Sequence, residues 1–192
     1  MAEAIKDGLG TGYLAHVNED NQLVTRAVAV EQRLKSTVDG NYYEATTGKI
    51  TLTNTTETGI IYIKNTDLDK ALVIDRVFFD LWTSTSGTGA DGTLIYYKDV
   101  TITGGTDITP NTTLYGSTTP AIGTFKKSLT TFSGTAWWTA YITDKTSAAL
   151  EEGRIILPNN GTHAITIAAP TGNTSMAVSI NIGFYYFDTE LV

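Results

Sequence analysis

Short runs rich in Ile, Val, Leu, Tyr and Thr recur from about Gly40 onward, separated by Gly, Asn, Asp and Pro. Residues 50–53, 60–64, 72–82, 93–101, 136–143, 154–157, 163–169 and 177–187 give eight strand candidates. Their number and spacing predict an all-β fold, an antiparallel β-sandwich of jelly-roll type. Between Thr103 and Ser133 the chain is rich in Thr, Gly and Pro and too polar to be core throughout. Long loops are expected there, with a short strand near Phe125.

Alternate residues of a strand face opposite sides of a sheet, so the apolar phase says which side is core. In the run ending at Phe187, Val178, Ile180, Ile182, Phe184 and Tyr186 share one face and are expected to be buried. Near residue 75 the phase slips, from Leu72 and Ile74 to Val77, Phe79 and Leu81. A bulge around Asp75-Arg76, or a strand covered on both sides, explains it. From Ala136 to Thr143, strict alternation puts Trp138 with Ala136, Ala140 and Ile142, leaving Trp137 and Tyr141 together on the other face. Exposed aromatics two positions apart on one face suit a subunit interface or a sugar-stacking platform, unless a loop or the chain's own amino-terminal segment covers them. The pairs Tyr96-Tyr97 and Tyr185-Tyr186 also put one ring on each face.

The amino-terminal stretch reads differently. Residues 1–38 form an arm or hairpin and linker, and residues 39–192 the sandwich. Gly8, Gly10 and Gly12 punctuate the arm, and residues 13–17 are expected to pair with residues 23–30 across an Asn18-Glu19-Asp20-Asn21 turn. A lone hairpin is marginal in water, so it needs the body or a neighbouring subunit to lie against. Residues 28–38 fit either a helical turn or a linker.

Composition narrows the chemistry. The chain has 192 residues and no Cys, which removes thiol catalysis and Cys-ligated zinc, and a core of this size needs no disulfide. With 13 basic and 20 acidic residues the net charge is -7, and no Lys or Arg run occurs, so nucleic acid is not an expected partner. No segment approaches the length of a membrane span, and Glu3, Lys6 and Asp7 interrupt any signal-like start. Thr accounts for 35 residues, which suits strands with polar, hydrogen-bonded faces.

Candidate catalytic groups are sparse. His is the usual base at neutral pH, and only His16 and His163 are present. There is no G-x-S-x-G elbow, and the two His are not spaced for zinc. Asn18 to Asn21 and Asp67-Leu68-Asp69 could offer oxygens to calcium, but neither has an EF-hand pattern, and acidic turn residues ordinarily just shape turns. Gly8-Leu9-Gly10-Thr11-Gly12 lacks the preceding strand and the Lys of a phosphate loop. Glu44, Glu57, Glu151 and Glu152 are the body's glutamates before Glu190, and none lies inward in a clear strand, as a glycosidase pair would. The reading is therefore no enzyme, no cofactor and no metal.

The arm residues Asp7-Gly8-Leu9-Gly10-Thr11-Gly12-Tyr13-Leu14-Ala15-His16-Val17, followed by Asn21-Gln22-Leu23-Val24-Thr25-Arg26-Ala27-Val28, resemble the amino-terminal segment of small virion structural proteins of tailed bacteriophages. In the body, Ile60-Ile61-Tyr62-Ile63-Lys64-Asn65 with Leu72-Val73-Ile74 looks like a strand pair of the jelly-roll members of that group. So does Gly153-Arg154-Ile155-Ile156-Leu157-Pro158, leading to Pro170-Thr171-Gly172-Asn173-Thr174. The resemblance implies a virion component of the capsid decoration or cement type, which stabilises the head from the outer surface of the shell. It implies as partners the major capsid protein or other virion proteins, and copies of the chain itself, a trimer before other states. The arm would grip them through Tyr13, Leu14, Leu23, Val24 and Arg26, and Trp137 and Tyr141 would supply an interface or a glycan platform. Its place would be the capsid surface, after assembly in the host cytoplasm. The alternatives are a receptor- or carbohydrate-binding module of a head or tail fibre, and a neck or tail structural protein.

Overall fold

The computed structural model describes residues 16–17, 23–24, 32–52, 56–83, 92–142, 148–169 and 176–188. The chain divides into two units, Met1–Glu31 and Gln32–Val192, each described by itself. In the first, β1 (His16–Val17) pairs antiparallel with β2 (Leu23–Val24), His16 opposite Val24 and Val17 opposite Leu23. This antiparallel pairing matches the expected one over shorter strands, and the expected Asn18 to Asn21 turn lies outside the described residues.

The second unit opens with α1 (Gln32–Val38), so the body starts at Gln32 rather than at residue 39. Helix α1 ends where Gly40 adopts φ +74°, a left-handed conformation that a Cβ would strain, and the amides of Asp39, Gly40 and Asn41 return to the carbonyls of Lys35, Thr37 and Ser36. The described residues after it form strands joined by turns and loops. The strands are β3 (Tyr42–Thr46), β4 (Ile50–Leu52), β5 (Thr58–Asn65), β6 (Lys70–Thr83), β7 (Gly92–Thr103) and β8 (Thr106–Asp107). They continue with β9 (Asn111–Thr112), β10 (Gly123–Leu129), β11 (Thr131–Ile142), β12 (Ala148–Leu157), β13 (Thr162–Ala168) and β14 (Met176–Asp188).

Two antiparallel sheets pack face to face. One runs β11-β7-β13-β5-β10-β8, the other β12-β6-β14-β3-β9, with β4 pairing further along β14. The connections from β4 to β5, β5 to β6, β6 to β7, β11 to β12, β12 to β13 and β13 to β14 each cross from one sheet to the other. Between β3 and β4, Thr47 keeps the ladder continuous: its amide donates to the Ile180 carbonyl, and its hydroxyl accepts from the Ile180 amide.

The core draws on both sheets. Val178, Ile180, Ile182, Phe184 and Tyr186 of β14 are all buried, as their parity predicts. Phe184 stacks between Tyr43 at 5.5 Å and Phe125 at 5.0 Å, locking β14, β3 and β10 together. Burying such side chains supplies roughly 1.5–3 kcal/mol each, the main force holding the sheets. The phase slip near residue 75 is a bulge: Gly183 pairs with Arg76 and Phe184 with Ile74, which leaves Asp75 as the extra residue. Of the 103–133 stretch, β10 is a full strand around Phe125. The loop after β9 is stapled to the core by Tyr186, whose hydroxyl donates to the Ile122 carbonyl at 2.7 Å and accepts from the Ile122 amide at 2.8 Å.

At one end of the sandwich Asn65 joins three segments. Its amide group donates to the carbonyls of Lys70 at 2.8 Å and Leu157 at 2.9 Å, and its carbonyl oxygen accepts from the Asp67 amide at 3.0 Å. The Asn160 amide donates to the Asn65 backbone carbonyl at 3.0 Å, which ties in the turn that precedes His163.

Candidate functional site

Strand β11 lies at the edge of its sheet, with β7 on one side and no strand among the described residues on the other. An edge presents a row of unpaired amides and carbonyls, and proteins usually blunt it with charge, Pro or extreme shortness. Of the other described edges of the two sheets, β8 and β9 are blunted by being two residues each. Over its 12 residues, Thr-Phe-Ser-Gly-Thr-Ala-Trp-Trp-Thr-Ala-Tyr-Ile, β11 holds neither a charge nor a Pro. Its protection consists of two irregularities, at Ser133/Thr135 and Ala136/Trp138. From Trp138 to Ile142 the pairing with β7 is regular.

The second irregularity decides where the tryptophans go. Ala136 pairs with Tyr97 and Trp138 with Tyr96, so Trp137 is an extra residue, and a bulge of this kind breaks strict alternation. Trp138 meets the buried Tyr96 edge-on at 4.7 Å. Trp137 is turned the same way, edge-on to Tyr96 at 6.1 Å and tilted against His163 at 6.3 Å. Trp137 and Tyr141 are both exposed, at 45% and 66%, but the bulge separates them. Tyr141, opposite Thr93, keeps the outward parity, while Trp137 sits on the rim of the core. The shared face expected from alternation is thus corrected to two neighbouring positions on one edge.

The two rings that Trp137 approaches each carry a buried polar atom with no hydrogen-bond partner, the hydroxyl of Tyr96 and Nε2 of His163. Their rings are 5.5 Å apart. His163 is almost fully buried, and burial pulls its pKa down to about 4 against the opposing effect of a hydrogen bond to the Tyr97 carbonyl. With Nε2 unpartnered, that bond belongs to Nδ1, which fixes the neutral ring with Nε2 as an acceptor. Burial likewise raises the Tyr96 phenol.

On the outer face of the same sheet Tyr62, Val100, Leu129 and Ala164 form a small second cluster, joined by Tyr97, Ile102 and Phe132. There the Thr166 hydroxyl and the Tyr97 phenol both bond the Glu57 carboxylate. Burial, then that bond and that charge, push the Tyr97 phenol up to about 12. On the other sheet Glu44 pairs with Arg76, whose guanidinium lies over the rings of Tyr42 and Phe78.

The remaining sequence candidates fall as follows. Leu23 and Val24 are in β2, and Tyr13, Leu14 and Arg26 lie outside the described residues, as does the Asn18 to Asn21 turn. The Asp67 carboxylate accepts from the amides of Asp69 at 3.0 Å and Lys70 at 3.1 Å, which makes it a turn former. Among the described residues no group of three or more His, Asp or Glu is placed to hold a metal, and no helix is long and apolar enough to cross a membrane. The unpartnered pair Tyr96 and His163 was missed in the sequence, where nothing links residues so far apart.

No protein-family model matches this chain, and no curated protein matches it.

Proposed function

We propose that this chain is a structural subunit of a bacteriophage virion, a capsid decoration or cement protein that binds the outer surface of the shell and stabilises the head. The observation that carries the reading is β11: a long, uncharged edge bearing Trp137 and Tyr141, on a molecule of net charge -7. Two such acidic bodies repel one another over most of their surfaces, and β11 is where a neighbouring strand meets backbone groups and aromatic rings without opposing charge. The strand order β3-β14-β6-β12 facing β5-β13-β7-β11 supports the jelly-roll reading, since it interleaves two Greek keys.

The role is assembly rather than turnover. A subunit that binds only the finished shell raises its stability by the binding free energy, and symmetry multiplies a modest contact over many copies. The partners are the capsid protein and further copies of this chain, as a trimer, with the amino-terminal arm as the second contact.

Thr139 is exposed on the regular part of β11, so Thr139→Lys adds a charge to the edge without entering the core. Self-association or capsid binding, read by sedimentation, is expected to weaken roughly tenfold with the melting temperature unchanged. Unchanged association on both counts would remove β11 as the interface, and location of the protein away from the shell in an electron-microscopy map would remove the capsid role.

A further inference from the structure

We propose that Asn160 is a deamidation site which the folded turn holds shut, so that the reaction runs from chains in which this turn has opened. Asn160-Gly161 is the one Asn-Gly step in the chain, and Asn160 is exposed to water. Glycine has no Cβ to shield its amide, so the Gly161 nitrogen can attack the side-chain carbonyl carbon of Asn160. A new C–N bond forms, the bond to the side-chain amide nitrogen breaks, and ammonia leaves with the proton that the Gly161 amide gives up. Water then opens the cyclic imide at either carbonyl, giving aspartate or isoaspartate and one more negative charge. No reagent beyond water takes part.

The fold withholds the geometry this reaction needs. Pro158 to Gly161 make a turn in which the Gly161 amide donates to the Pro158 carbonyl at 2.8 Å, and φ is +61° at Asn160 but not positive at Asn159. That is the type II pattern, with ψ of its third residue at about 0°. The Gly161 nitrogen then eclipses the Asn160 nitrogen, and the peptide between them must turn by about 120° to face the side chain. Asn65 opposes that rotation from both sides: the Asn160 amide donates to its carbonyl at 3.0 Å, and its own amide donates to the Gly161 carbonyl at 3.1 Å. The side chain is tied as well, since Asn160 Nδ2 donates to Asn159 Oδ1 at 2.6 Å and Asn159 Nδ2 to the Asp67 carbonyl at 2.7 Å. Local opening of this corner therefore sets the rate, as it does for exchange of a bonded amide. The product does not fit the turn again. Isoaspartate lengthens the main chain by a carbon between the two bonds to Asn65, directly before β13, which lies between β5 and β7. Deamidation is thus a one-way mark of opening, and it goes beyond the assembly reading without depending on it.

The full chain is held in mildly alkaline buffer, folded or in guanidinium chloride, and digested with trypsin. The peptide 155–192, which contains no internal Lys or Arg, is followed by mass spectrometry for a gain of about 1 Da, placed by fragmentation. The gain is expected at Asn160, at least about tenfold faster in the unfolded chain, and absent in Asn160→Gly, a residue at ease with positive φ. Asn159→Ala, which removes two of the ties from an exposed position, is expected to speed the reaction of the folded chain several-fold. Wild-type chains aged while unfolded are expected to refold with a lower melting temperature than Asn160→Gly chains aged alongside them. Equal rates in the folded and unfolded chain, a gain placed at Asn173 or Asn181 instead, or a folded Asn159→Ala that reacts no faster would overturn the proposal. The wild-type comparison needs no variant to fold, so a misfolded Asn159→Ala leaves it to decide.

Discussion

His163 enters the core neutral, with one nitrogen bonded to a carbonyl and the other bare, and its proton affinity drops accordingly. In the unfolded chain an imidazole titrates near 6.5, and here it titrates at about 4. The folded state therefore binds fewer protons between those values. Stability from this group is complete above about pH 6.5 and is lost as pH falls towards 4, by about 3 kcal/mol in all. Urea midpoints measured across that window should fall for the wild type and stay nearly flat for His163→Leu, apart from the carboxylate titration both share. At this scale the sequence was informative wherever apolar and polar residues contrast. Asp75 betrays its bulge because it breaks an apolar phase. Trp137 hides its own, because the residue beside it is also Trp and an extra residue leaves no mark when both sides look alike.

Strands with long apolar runs could be read directly, and β5, β6, β7, β13 and β14 lie close to where the pattern puts them. Strand β3 could not, since Tyr42-Tyr43-Glu44-Ala45-Thr46 alternates by shape rather than polarity: Tyr42 and Tyr43 are both buried, on opposite faces. Tyr43 stacks on Phe184 in the core. Tyr42 lies on the outer face, stacked on Tyr185, with its hydroxyl donating to Asp75 at 2.8 Å. What makes room for Tyr42 is Gly183 on β14, where an added Cβ would lie 2.3 Å from the Tyr42 hydroxyl and 2.9 Å from Cγ of Arg76. Gly183→Ala is therefore expected to cost about 1–3 kcal/mol through overpacking, seen as a lower urea midpoint with unchanged secondary structure by circular dichroism. The bulged residue, the stacked tyrosines and the glycine form one unit across β3, β6 and β14. None of these pairings is local in sequence, which is why the periodicity could announce strands but not this arrangement.

For the whole molecule, the division at Glu31 and Gln32 predicts that removing residues 2–31 leaves a folded body. The truncated chain should melt within a few degrees of the full one, while capsid binding or self-association, measured by sedimentation, weakens. A truncated chain that fails to fold would mean the arm is part of the core. The fold class was legible because strand spacing, Thr content and the absence of long helical periods all agree. The edge strand was half legible: its composition stands in the sequence, but only the sheet order shows that β11 has one neighbour among the described residues.

That sheet order also bears on how the protein is made. Strand β14, the last of the body, lies between β6 and β3, so the middle of one sheet is its latest part to be synthesised. Until residues 176–188 clear the ribosome, β3 and β6 have no common partner and the apolar face of their sheet stays open. Folding of this sheet then waits for its central strand and is dominated by contacts between distant parts of the chain, on the order of milliseconds to seconds for topologies of this kind. Copies emerging together from one polysome would meet one another while half closed.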